Sequence, residues 1–299
     1  MITTRWMRAL LLIAACPAWL IAVEKWDVLE LTLNGPAEGN PFLEVQVSAR
    51  FTQGDRSVEA AGFYDGEGVY KIRFMPDREG TWRYQTSSNR PALHGQAGDF
   101  TVTAPSGNNH GPVRVAHTFH FAYADGSPYK QLGTTAYTWA LQPTEQQELT
   151  LRTLAASPFN KIRMFVYPSG NARRLTMFPF VGTPPKAWDF TRFNPEYFRR
   201  LEQRVRQLRD IGVEADIILF HPYDTTMGFG AMAPEVDDRY VRYVVARLAA
   251  YRNVWWSLSN EYDFNKHKNE ADWDRLFHVV EAADPYARLR SIHNGFQIY

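Results

Sequence analysis

The 299 residues suffice for one large domain or two ordinary ones. Lysine and arginine (33) nearly balance aspartate and glutamate (32), and the formal charge of +1 without a basic stripe argues against a nucleic-acid partner. Nine tryptophans and an aromatic content of 14% suit a surface that stacks on the apolar faces of sugars, although the same rings also fill cores. The single cysteine, Cys16, excludes an internal disulfide and a cysteine metal centre.

Residues 1–22 read as an export signal: Arg5 and Arg8 precede an apolar run from Ala9 to Ala15, and apolar residues resume through Val23. The stretch is short for a membrane span and is broken by Pro17. Ile13-Ala14-Ala15-Cys16 resembles a bacterial lipobox, in which Cys16 is lipidated and becomes the protein's membrane anchor. Apolar residues continue beyond Cys16, which departs from that pattern; cleavage near Ala18 or Ala22, or a buried N-terminal helix, are the other readings. Export implies a periplasmic, outer-membrane or extracellular location.

Within residues 24–104 the period is two from Asp27 to Thr103. Leu29, Leu31 and Leu33 alternate with Glu30 and Thr32; Val45, Val47, Ala49 and Phe51 alternate with Gln46, Ser48 and Arg50; Tyr70, Ile72 and Phe74 alternate with Lys71 and Arg73. Turn residues punctuate the series at Asn34-Gly35-Pro36, Gly54-Asp55, Asp65-Gly66-Glu67-Gly68 and Gly95. Short alternating strands separated by such turns predict a β-sandwich. Residues 105–112 have the composition of a linker.

The rhythm then changes. A hairpin is expected over 113–119 and 120–123, turning back at Asp125-Gly126. Strands are predicted over 130–135, 160–166, 214–219, 254–258 and 288–292. Helices are predicted over 144–156 (with Thr144 as N-cap), 195–211, 234–251 and 270–283, and a long loop rich in proline and glycine over 167–194. Strand-helix alternation implies a parallel sheet with helices outside. An eight-fold barrel needs about 250 residues, so residues 113–299 are expected to form an incomplete TIM-type barrel of five strands. A doubly wound sheet lacks its phosphate fingerprint here, because Gly228-Phe-Gly230-Ala-Met-Ala233 lies in a loop beyond the third strand.

A barrel places its chemistry at the C-terminal ends of its strands. Those ends carry Tyr137 and Trp139, then Arg163 and Tyr167, then His221, Tyr223 and Asp224, then Asn260 and Glu261, then His293 and Asn294. The run Asn253-Val-Trp-Trp-Ser-Leu-Ser-Asn260-Glu261 breaks from apolar strand directly into an amide and a carboxylate. Neighbouring Trp255, Trp256 and Tyr262 are expected to desolvate Glu261 in part, the setting of a general acid.

This constellation, over residues 130–299, resembles the large clan of retaining (β/α)8 glycoside hydrolases that includes the cellulase-like and apiosidase-like barrels. The segment Phe63-Tyr-Asp-Gly-Glu-Gly-Val-Tyr-Lys-Ile-Arg-Phe-Met-Pro76, followed by Gly80-Thr-Trp-Arg-Tyr84, resembles the small uncharacterised sandwich found ahead of such barrels in bacteria. The resemblance implies hydrolysis of an oligo- or polysaccharide without cofactor or metal. Glu261 would be the general acid/base, unless it is an N-cap or surface acid of the next loop, and Asn260 would hold the sugar 2-hydroxyl. Arg163 would stand near the nucleophile, unless it pairs with an acid at the barrel floor. His221 and His293 would hold hydroxyls or water, unless they are structural, and Trp139 would offer a stacking platform. Tyr137, Tyr223 and Asp224 complete the expected substrate contacts.

Retention requires a second carboxylate about 5–5.5 Å from the first. The clan supplies it from a seventh strand, and five are visible, so the chain is expected to be part of a longer protein and to turn over little by itself. Asp224 is the nearest substitute, and reads better as a loop or substrate residue. Two rival functions stand beside hydrolysis: a non-enzymatic carbohydrate-binding protein, and a metal-dependent hydrolase on a related barrel. Asp263, His267 and Glu270 fit no tight metal-ligand spacing.

Overall fold

The computed structural model describes residues 21–170, 175–185, 187–224 and 226–296. The export-signal and lipobox readings, Cys16 included, fall on residues outside the described ones, apart from Ala22, which lies in the first strand. Among the described residues no helix is long and apolar enough to cross a membrane.

Seven strands build the N-terminal domain: β1 (Ile21–Glu24), β2 (Leu29–Asn34), β3 (Val47–Gln53), β4 (Arg56–Gly66), β5 (Val69–Phe74), β6 (Gly80–Ser88) and β7 (Ala97–Thr103), with a one-turn helix α1 (Pro41–Glu44) between β2 and β3. Their order is β1-β7-β6-β3-β4-β5-β2. The eleven-residue β4 belongs to both layers: its first half pairs with β3 and its second half with β5. The layers close on Phe74 of β5, which stacks on Phe51 of β3 at 4.1 Å and meets Trp82 and Phe100. The period-two reading holds in β2, where Leu29, Leu31 and Leu33 are buried and the residues between them exposed. The turn from β4 to β5 holds Gly66, Glu67 and Gly68 at positive φ, and a Cβ on Gly68 would approach the Gly35 carbonyl oxygen to 2.9 Å. The segment expected to be a linker is anchored instead: buried Asn109 donates to the Lys25 carbonyl at 2.8 Å and to Glu24 at 3.2 Å.

Strands β8 (Val113–Ala116), β9 (His120–Tyr123) and β10 (Pro128–Tyr129) form a small antiparallel sheet. The hairpin reverses at His117 and Thr118, both at positive φ. Asp125-Gly126, expected to be its turn, joins β9 to β10 instead. Asp125 accepts from the Ser127 amide and hydroxyl there, the behaviour of a short acidic side chain in a turn. Val113, Phe121 and Tyr129 of this sheet pack on Trp255, at the end of the barrel opposite to Glu261.

The barrel strands are β11 (Gly133–Thr135), β12 (Lys161–Phe165), β15 (Glu214–Phe220), β16 (Val254–Ser259) and β17 (Arg290–Ser291), parallel neighbours in that order. Every residue of β15 and β16 is buried, as expected of strands covered on both faces. Around them lie α2 (Thr144–Ala155), α3 (Pro195–Asp210), α4 (Pro234–Leu248) and α5 (Glu270–Ala283). Thr144 is the first helical residue of α2 rather than its cap; Pro143 takes the cap position. Asn194 caps α3 through the Glu196 amide, and Asn269 with Asp272 forms a capping box on α5. The expected loop after the second barrel strand contains a hairpin, β13 (Phe180–Thr183) and β14 (Ala187–Phe193), whose Phe193 stacks on Tyr243 of α4 at 4.0 Å.

The two domains meet across buried charge. Arg247 of α4 is fully buried; it pairs with Glu202 of α3 and at 2.7 Å with Asp65 of β4. Glu202 also binds Arg73 of β5 at 2.9 Å, and Arg73 reaches Glu30 at 2.8 Å. Burial alone would raise the Glu202 carboxyl, but the Arg73 and Arg247 guanidiniums outweigh it and hold the group below the ordinary range. Tyr286, beyond α5, accepts from the Met75 amide at 3.0 Å and completes the seam.

Candidate active site

Glu261 follows the last residues of β16 and sits in the left-handed region at φ 45° and ψ 57°. Such a backbone costs a non-glycine residue about 1–3 kcal/mol and is tolerated where the surroundings dictate it. It turns the chain sharply out of the sheet into a 3-10 turn, Tyr262–Phe264. The half-buried Glu261 carboxylate accepts a hydrogen bond from the Tyr223 hydroxyl. Asn260 is fully buried; its Nδ2 donates to the Tyr223 hydroxyl at 2.6 Å, and its Oδ1 accepts from the Tyr137 hydroxyl at 3.1 Å.

Four rings brace this cluster across the ends of three strands. Tyr137 stacks on Phe165 at 4.4 Å, Phe165 on His221 at 4.0 Å, and His221 lies nearly parallel to Tyr223 at 5.6 Å. His221 Nδ1 accepts from the Tyr223 amide, so its proton resides on Nε2, which faces the Tyr167 carbonyl at 3.2 Å. Burial pushes the His221 ring down to about 4, leaving it neutral at physiological pH. The Tyr223 phenol is pushed up, first by burial and then by the hydrogen bond and charge of Glu261.

Residues 116–298 match the apiosidase-like catalytic domain, and residues 22–89 match DUF5060, a domain of unknown function. The chain belongs to the apiosidase-like family. A crystal structure of a candidate glycoside hydrolase from Bacteroides vulgatus is 44% identical, with a TM-score of 0.90 over 93% of this chain; this chain spans 57% of that protein's length. A glycoside hydrolase family 5 structure from the same organism is 15% identical, with a TM-score of 0.50 over 62% of this chain and 40% of its own, a likeness of fold alone. No curated protein matches the chain. The fold is thus that of a glycoside hydrolase with a TIM-type barrel behind a β-rich N-terminal domain.

Within this apiosidase-like chain several expected contacts need correction. Asn260 is sealed from solvent, and its amide accepts from one phenol and donates to another, so it does not face a sugar. His221 is fully buried within the stack and reaches no sugar hydroxyl. Trp139 is only 4% exposed and packs in the core under the helices, so it offers no stacking platform. Trp255 points to the barrel floor, where its indole donates to Glu214 at 2.7 Å and Lys161 lies 3.8 Å over its ring. Trp256 points the other way, to Asp284 beside α5, and Tyr262 packs on Trp273. Strand alternation separates the two tryptophans, whose indoles are engaged at Glu214 and at Asp284 rather than at Glu261.

The remaining residues fall as follows. Asp224 spends both carboxylate oxygens on the amides of Thr226, Met227 and Phe229 and so shapes its own loop. Arg163 lies one strand layer below the rings, with Nε 3.6 Å from Asp216, which Lys161 also binds at 3.0 Å. His293 is exposed, and its backbone pairs with Ser259 and Tyr262 beside the Glu261 turn. Asp263 accepts from the amides of Gly295 and Phe296, while His267 is exposed; among the described residues no cluster of three candidate metal ligands forms. Phe165 was not among the expected site residues, because an aromatic ring inside a strand reads as core; Tyr167, expected at the end of this strand, is buried and its hydroxyl accepts from the His221 amide at 3.1 Å. The signal for the polar floor lay in Lys161-Ile-Arg163 and Glu214-Ala-Asp216, where charge recurs at every second position of a strand buried on both faces.

Proposed function

We propose that this apiosidase-like barrel hydrolyses a glycosidic bond with Glu261 as general acid/base. The observation that carries the reading is the placement of Glu261: a carboxylate at the C-terminal end of the fourth strand, on a strained backbone, gripped by a phenol. Protonation of the leaving oxygen and later activation of water need one carboxyl that exchanges a proton at a fixed position. The retaining course needs a second carboxylate. Asp224 is a poor choice, because three backbone amides hold it. We assign hydrolysis to a polypeptide of the length of the Bacteroides relative, in which a further strand supplies the nucleophile. His293 and Tyr223, which retain exposure beside Glu261, are the proposed sugar contacts, with Arg163 below them. The family's name makes apiosides the first substrates to assay. Export, with or without a lipid anchor at Cys16, belongs to the same proposal and rests on the N-terminal residues alone.

The test is Glu261→Ala in the longer polypeptide. Turnover should fall on the order of a hundredfold or more for poor leaving groups, which need protonation, and far less for activated aryl glycosides. Azide should restore turnover of the activated substrate. Equal losses on both substrate types without azide rescue would remove Glu261 from the role of acid/base.

A further inference from the structure

The cluster around Glu261 has a direction. The Tyr137 hydroxyl donates to Asn260 Oδ1, Asn260 Nδ2 donates to the Tyr223 oxygen, and the Tyr223 hydroxyl donates to Glu261 Oε2. Each member accepts from the one before and donates to the one after, so three bonds point the same way and end on the carboxylate. The four-ring stack fixes both ends of the chain, because Tyr137 and Tyr223 are its outermost rings.

We propose that Tyr137, Asn260 and Tyr223 form a one-way hydrogen-bond chain that positions Glu261, with Asn260 acting through Tyr223 rather than on the sugar. The inference rests on Glu261 being the acid/base. A donor that is itself accepting a hydrogen bond is polarised and donates more strongly, so Tyr137 reaches Glu261 through two intermediates. The chain also explains a buried asparagine immediately before the acid. An amide presents a donor and an acceptor on one rigid plane, so it can take one phenol's proton and feed another phenol's oxygen. The buried His221 ring is the spacer: neutral and flat, it holds Tyr223 at the distance from Phe165 that the chain requires.

The experiment is carbon NMR on the 299-residue protein, with glutamate labelled at Cδ and the Glu261 signal identified by its loss in Glu261→Gln. It needs no turnover, so it can fail while the hydrolase reading stands, and the azide experiment can fail while this one succeeds. At fixed neutral pH, Tyr223→Phe should displace the Glu261 signal, because the carboxylate loses its phenolic donor. Tyr137→Phe, which touches nothing on Glu261, should move it the same way by a smaller amount. The double variant should match Tyr223→Phe alone, because the chain is already cut. Both substitutions keep the stacking ring, and Tyr137→Phe carries the test if Tyr223→Phe does not fold. An unmoved signal in Tyr137→Phe, or shifts that add in the double variant, would overturn the chain.

Discussion

Glu202 at the domain interface and Glu214 at the barrel floor are equally buried, each about 4% exposed, yet their carboxyls go in opposite directions. Two guanidiniums bind Glu202 and hold it below the ordinary range. Glu214 receives one indole N–H, and burial pushes it up to about 7 despite Arg288, Arg252 and Lys161 nearby. Lys161 is engaged elsewhere, on Asp216 and over the face of Trp255. Asp237 of α4 lies between these cases: burial raises it to about 6, against the pull of Lys268, which bonds it directly. The series teaches that burial sets the baseline upward, that Lys268 with a more distant Arg275 still leaves a net rise at Asp237, and that two guanidiniums bonded directly to Glu202 reverse it.

The comparison can be broken most forcefully at Arg247. Arg247→Ala leaves Glu202 and Asp65 short of their shared partner in a dry interface, and should cost about 3–5 kcal/mol in a denaturant titration. A loss under 1 kcal/mol would mean that water enters the seam.

Glu214→Gln sharpens the contrast through pH. The folded carboxyl is raised from its ordinary 4.5 to about 7, so the native state holds the proton more tightly. Its contribution is complete below about 4.5 and is lost as pH rises toward 7, on the order of 3 kcal/mol in all. The glutamine variant should lack that slope. Glu202, with its lowered carboxyl, works in the opposite sense: its contribution is present above the ordinary carboxylate range and is lost as pH falls through the folded value. Lys268→Met should have the smallest effect, about 1–3 kcal/mol at neutral pH, because Asp237 can keep its proton and remain neutral. Stability of that variant should recover at pH 5, and failure to recover would point to packing rather than charge.

Much of the fold was legible because each layer has its own period. Leu29, Leu31 and Leu33 declare a two-sided strand, and Asn194-Pro195 and Asn269-Glu270 declare helix starts. The position of Glu261 was legible because the apolar run of β16 breaks directly into Asn260-Glu261. The β13–β14 hairpin was hidden by the prolines and glycines around it, although Phe180, Trp188, Phe190 and Phe193 give it an aromatic core. The orientations of Trp139, Trp255 and Trp256 were hidden for another reason: a ring fits a core or a cleft equally well until its neighbours are known. The interface network joins residues 30, 65, 73, 202 and 247, and no local pattern links partners so far apart in the chain.

That separation has a consequence for how the protein is made. Arg73 meets Glu202 across 129 residues, and Met75 meets Tyr286 across 211. At a ribosomal rate of about 5–20 residues per second, the N-terminal domain waits roughly 10–40 s for Tyr286 to be synthesised. During that wait the face that will be sealed is open to water. Asp65 and Arg73 lie on that face, so until Glu202 and Arg247 arrive their charges are met by water rather than by partners.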